Sequence, residues 1–111
     1  EATWWGGQWP RFGRLSMGRS FYVYIMTNPR NTVLYTGATN NLPRRVHEHK
    51  EKLTSGFASQ YNVIDLVYYE TAETAEAAIA REKQFKAGSR RRKIEVIKSM
   101  NPAWRDLSVD L

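Results

Sequence analysis

The chain has 111 residues, a length typical of one domain, and its 41% hydrophobic and 25% charged residues exclude a disordered chain and a collagen-like repeat. It contains no cysteine, which excludes disulfides and Cys-ligated zinc, and no apolar run is long enough to span a membrane, so we expect a cytoplasmic location. The net charge of +6 favours a polyanion, usually a nucleic acid, as the partner.

Residues 1–16 differ in composition from the rest of the chain. They hold three of the four tryptophans, with three glycines and a proline, and show no helical or strand periodicity. We therefore predict a tail outside the fold, with Met17 as a sensible start, and a domain over residues 17–111. An aromatic docking arm is the alternative for this segment.

Two runs rich in β-branched and aromatic residues open the domain. Residues 21–26 and 32–36 read as strands, and the turn-forming residues between them predict an antiparallel hairpin. Alternation along the first strand places Tyr22 and Tyr24 on one face and its other apolar residues on the opposite face. Gly37 is expected to end the second strand.

A helix and a third strand follow the hairpin. Asn40 or Asn41 can cap the helix, and apolar residues recur at helical spacing from Leu42 to Leu53 before a break. Residues 62–69 have the composition of a buried strand.

Two helices complete the pattern. Thr71 or Thr74 can cap a helix that runs to about Ala87, and Ser89 can cap a last helix through about Met100. The element order β-β-α-β-α-α predicts a small α+β domain, with a three-stranded antiparallel sheet flanked by helices.

Few residues are suited to chemistry. The chain has no phosphate-cradling glycine loop and no dinucleotide fingerprint, and its two histidines, His47 and His49, lie on different sides of a helix, which argues against a two-His zinc site. A set of polar residues remains. Each of these residues, taken alone, is more often a packing or surface residue than a functional one. The set comprises Tyr24, Tyr35, Arg45, His49 and Glu82.

The spacing within this set is distinctive. The tripeptides YVY at 22–24 and YTG at 35–37 place their tyrosines eleven residues apart; Arg45 follows ten residues later, His49 four further on, and Glu82 lies on a later helix. This pattern resembles the signature of the GIY-YIG nuclease superfamily, in its small single-domain bacterial endonuclease form. The resemblance covers nearly all of the chain outside the tail.

The chain departs from that signature at three places. Tyr22 stands where many members have glycine, and Thr36 stands where they have isoleucine or valine. Some members use an asparagine beyond the glutamate, and Asn101, the only one after Glu82, lies far along the chain.

The resemblance implies an endonuclease that hydrolyses DNA phosphodiester bonds with Mg²⁺ or Mn²⁺. Glu82 would hold the metal, since Mg²⁺ is often bound by one carboxylate with waters and substrate phosphate, and Arg45 would neutralise phosphate charge. The resemblance favours Tyr24 as the general base, with Tyr35 orienting the water or phosphate; His49 would orient Tyr24 or be the base itself. A phenol base needs its pKa lowered, by the metal or by Arg45.

The whole net charge lies in one stretch, residues 81–98, with eight Lys and Arg against two Glu. The residues expected to contact nucleic acid are Arg44, Lys83, Lys86, Arg90, Arg91, Arg92 and Lys93. Phosphate contacts of this kind carry affinity without sequence information, so we expect a weakly specific or structure-selective enzyme that serves DNA repair or recombination. The alternatives are a non-catalytic nucleic-acid-binding module on the same fold and an interaction subunit.

Overall fold

One antiparallel sheet organises the domain. A computed structural model describes residues 20–53 and 56–111 of the chain. Its strands are β1 (Phe21–Thr27), β2 (Leu34–Thr39) and β3 (Asp65–Ala72), in the order β2-β1-β3, so the first strand is central. Both pairings with β1 are antiparallel.

Helices fill the remaining positions. They are α1 (Leu42–Lys50), α2 (Phe57–Gln60), α3 (Ala75–Ala87) and α4 (Arg90–Met100), with a 3₁₀-helix at Leu107–Asp110. The predicted small α+β domain and its β-β-α-β-α-α order are confirmed, and the two short helical elements are additions to them. No helix in the described part of the chain is long and apolar enough to cross a bilayer.

The three longer helices begin at capping side chains, as the sequence predicts. Asn41, Thr74 and Ser89 each accept a hydrogen bond from the backbone N–H three residues later, at 3.2, 3.0 and 3.2 Å. Of the paired alternatives, therefore, Asn41 rather than Asn40 and Thr74 rather than Thr71 cap their helices.

The sheet separates two apolar clusters, because successive side chains of β1 point to opposite faces. One cluster joins Phe21, Val23 and Ile25 of β1 to Ala78 and Phe85 of α3 and Ile97 of α4. The other joins Tyr24 and Met26 of β1 to Leu42 and Val46 of α1. The predicted alternation is thus confirmed, and the face that carries Tyr24 is covered by α1.

The second strand lies further along the chain than the predicted range 32–36. Thr32 and Val33 belong to the turn, because their backbone N–H groups donate to Asn28 Oδ1 at 2.8 and 3.0 Å. The expectation that Gly37 ends the strand is wrong, since β2 continues through it to Thr39.

Two further boundaries were misplaced. The helix predicted to run to Leu53 ends at Lys50, and Lys52 adopts a left-handed backbone (φ 55°), which leaves Leu53 68% exposed. The third strand starts at Asp65 rather than at 62, because Asn62, with φ 59°, closes the turn after α2. The tail predicted over residues 1–16 lies outside the described residues.

Candidate active site

A buried phenol is the centre of the candidate site. Tyr24 Oη lies 3.2 Å from His49 Nε2 and accepts a hydrogen bond from Arg45 Nε at 3.4 Å. Tyr24, Arg45 and His49 are 0%, 8% and 2% exposed. Three polar side chains so deeply buried are stable together because each satisfies another.

The local structure explains how α1 delivers two of these residues. Arg45 and His49 are one helical turn apart and share the face that packs on the sheet with Leu42 and Val46. Arg45 also donates to Glu48 on its own helix at 2.9 Å, which holds the guanidinium in place. The central strand and the helix therefore fix the cluster from two sides.

Tyr35, on β2, joins the cluster through its ring. Its centroid lies 5.2 Å from that of His49, nearly edge to face at 62°, and 6.4 Å from that of Tyr24. Two residues along the same strand, Gly37 leaves the space that Tyr24 fills, because a Cβ at this position would lie 2.5 Å from Tyr24 Oη. The conspicuous glycine of the YTG tripeptide thus makes room for the phenol.

Burial sets the protonation states within the cluster. It raises the pKa of Tyr24 above its usual value, more than the neighbouring Arg45 lowers it. Arg45 does lower the pKa of this phenol, but it does not bring that pKa below its usual value. Burial, assisted by Arg45, lowers the pKa of His49 to about 4, so the imidazole is neutral at physiological pH. Burial also opposes the charge of Arg45, but Tyr24 and Glu48 raise its pKa.

Glu82 approaches from another element. It lies on α3, one turn from Ala78 and Phe85, and is 3% exposed. Its carboxylate forms an ion pair with Lys86 Nζ at 2.8 Å, and its charge contributes to the raised pKa of Tyr24. The structure thus joins Tyr24, Tyr35, Arg45 and His49 by direct contact, and Glu82 acts on the phenol electrostatically.

The donor set available to a metal is small. Within residues 20–53 and 56–111, no group of three or more His, Asp or Glu side chains could together hold an ion. A single carboxylate such as Glu82 fits Mg²⁺, which keeps several waters and is completed by substrate phosphate. That carboxylate already holds one cationic group, the Lys86 ammonium.

The predicted nucleic-acid contacts divide by exposure. The exposed members are Arg44, Lys83, Arg90, Arg91 and Arg92, whereas Lys86 and Lys93 are partly buried. Arg90 reaches back to the carbonyl of Asn31 at 3.5 Å. The exposed cations of α4 present a solvent-facing basic surface, as the charge pattern predicts.

The structure adds Phe57, which no sequence pattern singled out, and gives a role to Asn101. Phe57 of α2 stacks on Tyr35, with ring centroids 6.4 Å apart and an angle of 25° between the planes. Asn101 is a structural residue, because its buried amide donates to the carbonyls of Val67 at 3.2 Å and Arg105 at 2.7 Å. No periodic pattern marked Phe57, since it follows a helix break and begins a helix of only four residues.

Comparison with known proteins identifies the class to which this fold and cluster belong. The sequence profile of the GIY-YIG catalytic domain matches residues 20–95, which include the buried cluster and Glu82. The chain belongs to the GIY-YIG family, a family of the nuclease type, as its resemblance to the signature implies.

Individual relatives agree with this assignment. The chain is 35% identical over 78 residues to a UPF0213 protein of Clostridium perfringens, covering 70% of this chain and 83% of that protein. It is 33% identical over 81 residues to a UPF0213 protein of Natronomonas pharaonis, covering 73% and 94%. The solution NMR structure of a UPF0213 protein from Bacillus halodurans has the same fold, with a TM-score of 0.51 at 24% identity over 78% of this chain and 92% of that one.

Proposed function

We propose that the protein is a divalent-metal-dependent endonuclease that hydrolyses phosphodiester bonds in DNA. The observation that carries the proposal is the buried phenol of Tyr24, held between a neutral imidazole and a guanidinium in a GIY-YIG domain. Because the exposed cations can contact phosphates and no element suited to reading bases is evident in the described residues, cleavage is weakly specific or depends on DNA structure. Such an enzyme would serve repair or recombination.

Tyr24 and His49 form a unit that can accept one proton. When the imidazole carries its proton on Nδ1, Nε2 accepts the hydrogen bond from the Tyr24 hydroxyl, and the raised pKa of Tyr24 keeps the phenol protonated before substrate binds. When a water attacks phosphorus, its proton passes to Tyr24 as the phenol proton passes to His49, or directly to His49. The new P–O bond forms as the bond to the leaving oxygen breaks.

Arg45 stabilises negative charge at the same place. Its guanidinium remains protonated and contacts Tyr24 Oη, so it stabilises the phenolate character that develops there and the phosphate oxygens beside it. By analogy with arginine fingers, its loss costs about 10³-fold in rate.

Glu82 would hold the Mg²⁺ or Mn²⁺ ion. When bound, the metal supplies charge neutralisation at the phosphate and at the leaving oxygen. Lys86 balances the buried carboxylate of Glu82 by its ion pair. The same ion pair favours the alternative function, a nucleic-acid-binding module without cleavage, because it places a cation where the metal would bind.

A cleavage assay with a matched pair of glutamate variants tests the proposal. Purified protein is incubated with single-stranded, duplex, nicked and branched DNA, in Mg²⁺ or in EDTA. We expect cleavage only with the metal, and its loss in Glu82→Gln with DNA binding retained. Glu76→Gln is the control, because Glu76 is exposed in the first turn of the same helix.

Two outcomes would overturn the proposal. One is intact DNA of every form after incubation with Mg²⁺ or Mn²⁺, with binding that is indifferent to chelator; this would favour the binding module. The other is equal cleavage by Glu82→Gln and wild type, which would remove the carboxylate from the mechanism.

A further inference from the structure

Three aromatic rings lead outward from the buried cluster to the surface. Tyr35 contacts His49 on one side and stacks on Phe57 on the other, and the Phe57 ring lies 4.8 Å from the ring of Tyr61, at 43°. Tyr35 is 3% exposed, whereas Phe57 and Tyr61 are 41% and 46% exposed. We call Tyr35, Phe57 and Tyr61 the aromatic shelf.

The outer rings of the shelf are not required by the core. Helix α2 is anchored by Ala58, which is 6% exposed and packs into the cluster around Tyr24. The carbonyl of Ala58 also accepts from Val63 N at 3.0 Å, which fixes the turn after the helix. A ligand that covers two adjacent exposed rings removes apolar surface from water, which is favourable.

We propose that the aromatic shelf is a subsite that stacks an unpaired nucleobase of the strand to be cut. This inference rests on the proposed nuclease function. Every base presents a flat π-face, so stacking on aromatic side chains tolerates any sequence. Tyr35 belongs to both the shelf and the buried cluster, so a base stacked on Phe57 lies beside the site where the backbone would be cleaved.

The shelf discriminates between nucleic-acid forms because base faces are covered by their neighbours inside a duplex. A single strand, a flap or a frayed end offers a base face without the cost of unstacking. The chain should therefore prefer DNA with unpaired nucleotides at the cleavage point.

Size and charge favour a nucleobase over a protein as the occupant. Two exposed rings cover far less than the roughly 800 Å² that each partner buries in a stable protein interface. The net charge of +6 favours a polyanionic strand as the partner.

Binding measured without cleavage tests the subsite. Fluorescence anisotropy in EDTA gives the Kd for a single strand of about 12 nucleotides and for the matching duplex. We expect Phe57→Ala to reduce the preference for the single strand about 10-fold, and Phe57→Trp to retain it, because a larger ring still stacks. Met100→Ala is the control, since Met100 is similarly exposed, at 42%, at the end of α4.

A fluorescent adenine analogue placed in the strand provides a direct readout, because its emission changes when it stacks. The emission should change with wild type and not with Phe57→Ala. If Phe57→Ala does not fold, Tyr61→Ala replaces it, since that ring is 46% exposed and lies outside both apolar clusters.

The outcomes separate this inference from the function on which it rests. The subsite would be overturned if Phe57→Ala lost affinity equally for the single strand and the duplex, or lost none. It would also be overturned if Phe57→Trp had the same Kd values as Phe57→Ala. Retained selectivity in a protein that never cleaves would overturn the nuclease proposal and leave base binding standing.

Discussion

The imidazole of His49 is held neutral in a buried position between a phenol and a guanidinium. Burial and Arg45 both oppose its protonation, and the hydrogen bond to Tyr24 Oη uses one ring nitrogen. The other, Nδ1, has no hydrogen-bond partner among the residues that the structure describes. Protonation would place a second cation next to Arg45 in a region with little water.

This geometry predicts a specific pH dependence of stability. The pKa of His49 is about 4 in the folded chain and about 6.5 when unfolded, so the unfolded state binds the proton more tightly. The neutral imidazole of His49 therefore contributes fully to the free energy of unfolding above pH 6.5, and this contribution is lost as the pH falls towards 4. Between pH 7 and pH 4, we expect the free energy of unfolding of wild type to fall by about 2–3 kcal/mol more than that of His49→Gln, measured by urea unfolding.

His47→Gln is the matched control, because His47 is exposed on the same helix. It should lose stability with acid in parallel with wild type. Equal acid sensitivity of wild type and His49→Gln would show that the imidazole is not held neutral by the fold.

The resemblance to the family signature identified the residues of the cluster but not their electrostatics. Helical spacing places Arg45 and His49 on one face, and the resemblance predicts that they meet Tyr24. The raised pKa of Tyr24 depends on complete burial by the surrounding elements, which no local pattern reports. The ring of Phe57 was missed for a similar reason, since only the tertiary fold brings it to Tyr35.

At the scale of elements, β1 and β2 leave no space for a side chain at Gly37, which faces Tyr24. These residues are paired across the two strands, and the phenol lies over the bare backbone of the glycine. A strand glycine normally weakens a sheet, and here it permits a large side chain to lie flat against the neighbouring strand.

Gly37→Ala should displace the phenol. The added Cβ would lie 2.5 Å from Tyr24 Oη and 2.6 Å from Cζ, too close for the ring to remain. We expect a loss of about 1–3 kcal/mol in the free energy of unfolding, measured with urea. Gly88→Ala is the control, because its Cβ would meet only the carbonyl of Gln84 at 3.3 Å and that of Phe85 at 3.6 Å. An unchanged unfolding midpoint in Gly37→Ala would contradict this account of the glycine.

Local sequence signals were enough to predict where the helices begin but not where the strands begin. The caps at Asn41, Thr74 and Ser89 were predictable because capping depends on one side chain and the three residues after it. The starts of β2 and β3 were not, because the side chain of Asn28 and the turn at Asn62 hold the preceding residues out of the sheet.

At the scale of the whole molecule, the side chains that can contact phosphates are exposed, whereas those of the cluster are buried. The side chain of Arg91 on α4 is 88% exposed, and that of Arg44 on α1 is 59% exposed, so both can reach phosphates. Lys50 cannot act in this way, because its ammonium donates to Asp106 at 2.6 Å and to the carbonyl of Ile64 at 3.0 Å. DNA affinity and the chemical step are therefore expected to depend on different side chains.

Changing Arg91 and Arg92 together to alanine tests the basic surface. If each neutralises a phosphate, DNA binding weakens to the same degree on unrelated sequences, and the slope of log K against log salt falls by about one for each arginine removed. Titrations at several salt concentrations measure both quantities. Unchanged affinity and slope would mean that this part of α4 is only a solvated face.

The most direct test of the account concerns one oxygen atom. Tyr24→Phe keeps the buried ring and removes Oη, while Tyr22→Phe makes the same change two residues away on the same face of β1. With Mg²⁺ and supercoiled plasmid, we expect wild type and Tyr22→Phe to nick at similar rates, and Tyr24→Phe to be slower by about 10²-fold or more. An uncut plasmid with the wild-type protein, or a Tyr24→Phe protein as fast as wild type, would contradict the claim that this phenol takes part in DNA hydrolysis.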